Sequence, residues 1–260
     1  METPTPAQTE VAESFVLGEG WYENDELRLL PGLLAGVKTF VDVGASIGPY
    51  TKCANETIKN GHIAAIEANP DTYQRLKTNC QRWRQDSGNT IETLHAAVAD
   101  APGKMDFFIP GENESSLISS IFENTTLYKE WQKVPVDCVT LDSLFPESSP
   151  EFIKVDVEGA EYRVLKGAHG LLTRGASRFL IEIHPWGDPS LNKTPADVFQ
   201  LLYSYDYDFS LVKRHWLFAK VRPSLLFRIK HQCIMFVMRN VWLKEWLKKI
   251  VLRFYRLRKP

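Results

Sequence analysis

Phe40-Val41-Asp42-Val43-Gly44-Ala45-Ser46-Ile47-Gly48 is the stretch on which the fold turns. It opens as an apolar, β-branched run broken by one acid and closes in a segment with two glycines. This pattern predicts a strand buried on both faces, feeding a tight turn. Pro49 follows at once and suits a first helical turn, where its missing N–H would have had no partner. The next strand-like run, residues 62–66, ends on Glu67. A strand, a glycine turn, a helix and an acid at the tip of the next strand make a nucleoside-binding βαβ unit. Gly48 and Glu67 are separated by close to the roughly twenty residues expected between such a turn and a ribose-binding carboxylate.

Outward from this unit, strand-like and helix-like segments alternate. Strands are predicted at 39–43, 62–66, 91–96, 105–109, 152–157, 179–183, 209–212 and 232–237, and helices at 49–59, 70–84, 161–172 and 195–203. Alternation of this kind predicts an α/β fold with a mostly parallel central sheet and helices on both faces. Residues 111–135 are less regular and read as an insertion or lid beside the ligand. The chain divides into an arm at 1–18, a domain at 19–238 and a basic amphipathic helix at 239–260.

A length of 260 residues fits one large domain, or one with an appendage. The cysteines at 53, 80, 138 and 233 lie far apart, with no C-x-x-C pair for zinc or redox chemistry. They read as reduced thiols of a cytoplasmic protein. Residues 1–13 are polar and rich in Thr and Pro, unlike a signal peptide. The net charge of −1 conceals an asymmetry: residues 225–260 carry ten Lys or Arg against Glu245 alone. An acidic body with a basic tail predicts a separate partner for the tail.

Asp42, inside an apolar strand, needs partners, and the glycine turn or a cationic ligand group would supply them. Gly44 and Gly48 allow close backbone approach, but Ala45 and Ser46 stand where a dinucleotide site would place a middle glycine. That speaks against a nicotinamide-dependent oxidoreductase and for a ligand without phosphates, such as S-adenosyl-L-methionine. Glu67 would take the two ribose hydroxyls. Val98 could line an adenine slot, with Asp100 accepting from the exocyclic amine, although Asp-x-Pro-Gly is also a turn sequence. In Lys154-Val155-Asp156-Val157-Glu158-Gly159-Ala160-Glu161, Asp156 and Glu158 fall beyond a strand's carboxyl end, where open α/β sheets bind ligands. Glu161 sits in a first helical turn, which suits a structural acid. Glu182 and His184 end a later strand, and a histidine there is a candidate base near neutral pH. Acids without a tighter ligand cluster argue weakly for a divalent metal, so no metal is assigned.

VDVGASIGPYT, IEANP, IKVDVEGAEYRVLKGA and LIEIHP, in this order and spacing, resemble the FkbM family of S-adenosylmethionine-dependent methyltransferases. The likeness covers residues 36–187, with a weaker extension to 238. It implies a Rossmann-like class I methyltransferase fold and transfer of a methyl group to a hydroxyl of a sugar, glycolipid or secondary-metabolite acceptor. Asp42, Gly44, Ser46, Gly48 and Asn69 would frame the cofactor, and Glu67 would hold its ribose. The family typically has Asn at the position of Ser46; serine keeps a hydrogen-bonding group with shorter reach. Ser115 and Ser116 match a small polar pair preceding the Leu141-Asp142 segment and, with Glu182, would face substrate. Asp156 and Glu158 match the acids after the fourth strand, and Asp156 or His184 would serve as base.

In the tail, Leu243, Trp246, Leu247, Ile250, Phe254 and Leu257 recur at helical spacing among Lys and Arg. Residues 241–259 thus suit an anionic membrane surface, or a helix packed on protein. They are too charged to span a bilayer, and the apolar stripe speaks against nucleic acid. The expected location is cytoplasmic, peripheral to the inner face of a membrane. The alternative function is a non-catalytic adaptor that keeps the fold and works through its tail.

Overall fold

The computed structural model describes residues 24–84, 88–110 and 131–240. The opening βαβ unit forms as expected: β1 (Thr39–Val43), α2 (Pro49–Thr57) and β2 (His62–Glu67), preceded by α1 (Asn24–Leu33). Then come α3 (Pro70–Trp83), β3 (Thr90–His95), β4 (Ala97–Val98), β5 (Gly103–Pro110), β6 (Trp131–Val139) and α4 (Leu141–Leu144). The chain continues through β7 (Phe152–Val155), α5 (Glu161–Lys166), α6 (His169–Arg174), β8 (Arg178–Glu182) and α7 (Pro195–Ser204). It ends in β9 (Tyr207–Val212), β10 (His215–Lys220) and α8 (Leu225–Arg239).

The central sheet has the order β3-β2-β1-β7-β8-β10-β9, parallel except at β10, which pairs antiparallel with both neighbours. Side chains alternate across β1. Phe40 packs with Phe152, Leu30, Tyr50, Ala54 and Leu76 on the face covered by α1, α2 and α3. Val41 and Val43 pack with Ile153, Val155, Leu165, Leu171 and Phe199 on the other. Burying both faces explains why β1 and β7 read as continuous apolar runs. β1 and β7 lie side by side although many elements separate them in sequence, so the chain reverses its winding there. A crevice opens above such a switch point.

Four sequence expectations are corrected. Residues 232–237 belong to helix α8, where Phe227, His231 and Met235 recur on a buried face and Ser224 Oγ accepts from the Phe227 amide. Spacing by four, not apolar content, was the informative signal. The helix expected at 161–172 is two helices. At the break, a Cβ on Gly167 would stand 2.1 Å from the Ala99 carbonyl oxygen. Asp142 accepts from the Gly170 and Leu171 amides at 2.7 and 3.0 Å, which starts α6 afresh. Residues 131–135 are not lid but the start of β6, paired along β5 in a second sheet of order β4-β6-β5. Strand β10 was missed, since its two-residue hairpin loop is Lys213-Arg214 rather than a Gly or Asn turn. The arm at 1–18 and the tail at 241–260 lie outside the described residues.

Candidate active site

The glycine turn is shaped by one close approach. Gly44 has φ +73°, and a Cβ there would stand 1.8 Å from the backbone oxygen of Asp156. The turn after β1 and the loop after β7 therefore touch with no side chain between them. Gly44→Ala combines this clash with a left-handed strain of roughly 1–2 kcal/mol. We expect it to lower stability by at least about 2 kcal/mol, seen as a fall in Tm of roughly 4 °C or more. An unchanged Tm would show that the two loops separate easily.

Ser46 follows at φ 52°, and its amide donates to Glu67 Oε2 at 2.8 Å. The Asn69 amide donates to Glu67 Oε1 at 2.8 Å. Burial pushes the Glu67 carboxyl up, and these amides oppose it. A carboxylate has about four lone-pair sites, so each oxygen keeps capacity for a ligand hydroxyl. Asn69 Oδ1 accepts from the Asp71 and Thr72 amides and caps α3, a structural task. Gly48, φ +99°, faces Leu76 and Trp83 of α3, each 2.9 Å from where its Cβ would stand.

Asp42, wholly buried, does not take its hydrogen bonds from the glycine turn. Thr51 Oγ1 donates to its Oδ2 at 2.7 Å, and Lys154 Nζ lies 3.5 Å from its Oδ1. The two residues expected at an adenine slot have protein partners of their own. Val98 is buried in β4 against the main core. Asp100 is engaged by Arg163 at 3.4 Å and Lys166 at 3.5 Å, which ties it to α5. Ser115 and Ser116 lie outside the described residues.

Beyond the ends of β7, β8 and the start of β10, the structure brings Asp156, Glu158, Glu182, His184 and His215 together. His184, 7% exposed, lies among three carboxylates. Its Nδ1 is 2.6 Å from Glu161 Oε1, and its Nε2 is 3.3 Å from Glu158 Oε2 and 3.9 Å from Asp156 Oδ1. Burial would push this imidazole down, but the hydrogen bond and charge of Glu161, then the charges of Glu158 and Asp156, raise it to about 9. A rise to that value favours the imidazolium near neutral pH, a form that holds its proton rather than accepting one. Burial raises the Glu158 carboxyl to about 7, opposed by His184 and helped by Asp156 and Glu182. Asp156, despite its burial, is held low by Lys154 and His184. Glu182 is pushed up by burial and by Asp156, and lies 3.6 Å from His215 Nε2 and 3.9 Å from Arg214. Burial and Lys154 keep His215 neutral, near 4.

Sequence reasoning missed three members of this site. Lys154, 3% exposed, donates to the Gly44 carbonyl at 3.1 Å and lies 3.4 Å from Asp156, so it joins the turn to the acids. It stood within the IKVDVEGAE motif, where a lysine inside a buried strand was a usable signal. His215 and Arg214 came from the unrecognised hairpin. Asp156 with Glu158 and His184, and Asp156 with Glu182 and His215, each place donor atoms within 4.8 Å, close enough to share a cation. Lys154 and the His184 imidazolium already offset charge in both groups. In the loop after β8, wholly buried Asp188 accepts from Arg163 Nε at 2.6 Å, Ser190 Oγ at 2.6 Å and the Ser190 and Leu191 amides, which ties that loop to α5.

The profile of the methyltransferase FkbM domain matches residues 42–209. Over 170 residues the chain is 30% identical to the hexuronic acid methyltransferase AglP of Haloferax volcanii, covering 64% of each chain. It is 28% identical over 142 residues to Methyltransferase 1 of Beauveria bassiana, covering 49% of this chain and 57% of that one. The chain thus spans less than two thirds of the length of either curated relative. A crystal structure of methyltransferase FkbM from Methylobacillus flagellatus KT aligns with TM-score 0.49 at 18% identity, covering 70% of this chain and 43% of that one. With well over half its length matched by the profile, the chain belongs to the methyltransferase FkbM domain family.

Proposed function

We propose that the chain transfers a methyl group from S-adenosyl-L-methionine to a hydroxyl oxygen of a sugar or sugar-like acceptor. The observation that carries this reading is the direct contact of Gly44 with Asp156, which makes one crevice of a nucleoside-binding turn and a proton-handling cluster. The residues present fit the cofactor: Glu67 is oriented by two backbone amides and keeps acceptor capacity for a ribose diol. When bound, the cofactor supplies an electrophilic methyl on a sulfonium. The rest falls to the protein. Positioning lowers the barrier by holding the acceptor oxygen in line, and Glu158, near 7, receives the hydroxyl proton as the oxygen–carbon bond forms. The His184 imidazolium, 3.3 Å away, favours the ionised form of Glu158 beforehand.

A sugar acceptor is supported by the named activity of AglP on a hexuronic acid. Here the acids outnumber the cations around the cleft, which favours a neutral hydroxyl over a second carboxylate. The test is incubation with methyl-labelled S-adenosylmethionine and paired acceptors, a hexoside and the matching uronate. Label in the hexoside as an ether is the expected result. Label only in the uronate, as an ester, would reverse the acceptor assignment. Calorimetry with S-adenosylhomocysteine that detects no heat would remove the enzymatic reading and leave the adaptor.

A further inference from the structure

Helix α8 has two apolar faces, and among the described residues only one of them is buried. Phe227, His231 and Met235 pack inward, where Tyr203 stacks on His231 with ring centroids 3.3 Å apart. On the outward side Leu225, Ile229, Cys233 and Phe236 recur at steps of four, four and three residues, with Leu226 beside them. Leu225 and Leu226 are 75% exposed, Phe236 62% and Ile229 47%. A stripe of large exposed apolar side chains on one helix marks an interaction surface more strongly than scattered ones do.

Charge identifies the partner. Arg228 and Arg239 flank the stripe, Arg222 lies just before the helix, and none has an ion-pair partner among the described residues. Lys230, on the other flank, is taken up by Asp208 at 2.5 Å. Between Asp208 and Glu245 the sequence contains no acid, and residues 241–260 add seven Lys or Arg. A second copy pairing through this face by a two-fold axis would set these cations against themselves. No helix among the described residues is long and apolar enough to cross a membrane. We infer that the outer face of α8 docks the protein in the interface of an anionic lipid surface, apolar stripe in the acyl boundary and arginines at the headgroups. Such binding combines buried apolar area with attraction to anionic lipid.

The test is flotation of the full chain with phosphatidylcholine vesicles and with vesicles also containing phosphatidylserine. Binding is expected to the anionic vesicles, weakened by salt because exposed charges are screened. Ile229→Glu with Phe236→Glu is expected to lower partitioning at least about tenfold, since each replaces a large apolar side chain that would be buried. Arg228→Gln with Arg239→Gln should lower it roughly fivefold per charge on anionic vesicles only. Leu211→Glu, an exposed apolar site on β9, should leave binding unchanged and serves as the control. The thermal shift caused by S-adenosylhomocysteine reports whether each variant is folded, and the arginine pair decides the matter if the glutamate pair is not. Absence of binding by the intact chain overturns the inference. So does undiminished binding by both paired variants, which would place attachment in residues 241–260 alone. A dimer in light scattering that the glutamate pair dissociates, without vesicle binding, would assign the face to a second copy.

Discussion

S-adenosylhomocysteine is expected to raise the Tm of the intact chain, and Glu67→Ala to abolish that rise. The lost contacts would be charge-assisted hydrogen bonds, each worth about 1.5–3 kcal/mol, so two of them correspond to roughly 10²–10⁴ in Kd. Glu67→Gln distinguishes ligand binding from support of the turn. Glutamine keeps one acceptor oxygen, and its amide would face the donating amide of Ser46 or Asn69. It should therefore bind weakly where alanine does not bind at all. Full affinity in Glu67→Ala, measured by calorimetry, would sink the ribose assignment.

The second large effect concerns Glu158 and His184. The proposed transfer needs Glu158 ionised, so the rate should rise with pH through about 7, where burial places that carboxyl. It should fall again as pH passes about 9, where His184 loses the proton that Glu161, Glu158 and Asp156 hold on it. The limbs belong to the interacting pair rather than to either group alone. Glu158→Gln removes the proton acceptor and is expected to lower kcat by roughly 10²–10⁴-fold and erase the acidic limb. A profile that keeps its acidic limb in that variant would move the base to Asp156. Stability gives an independent check of the same shifts. Both groups bind their protons more tightly when folded, so their contribution is greatest at acidic pH and declines as pH rises from about 4.5 to about 9.

The βαβ unit was legible because its signals are local. Val41 and Val43 alternate with Phe40 and Asp42 over both faces of β1, and the turn and Glu67 follow at fixed spacing. The acids of the cleft were legible for the same reason, Asp156 and Glu158 following the apolar strand β7 and Glu182 ending β8. What escaped notice depends on pairings between distant segments. His184 reads as an ordinary imidazole until Glu161, 23 residues earlier, is found 2.6 Å from it. Asp100 reads as a free carboxylate until Arg163 arrives from α5. The mistake at residues 232–237 had another origin: an apolar run of that length fits a strand or a helix, and only the Ser224 cap and the spacing by four distinguish them.

The reversed direction of β10 has a consequence for how this chain tolerates change. The parallel strands deliver residues to the cleft by their ends, whereas β10 delivers His215 by its beginning, opposite Glu182. Its placement is set by the two-residue tip Lys213-Arg214. Exchanging either tip residue leaves the register alone. Inserting or deleting one shifts the strand by a single step and turns the imidazole to the opposite side of the sheet. Divergence here is therefore closed to changes in length, while replacement is limited by the φ of 58° at Lys213 and by the pairing of Arg214 with Glu26 and Glu182.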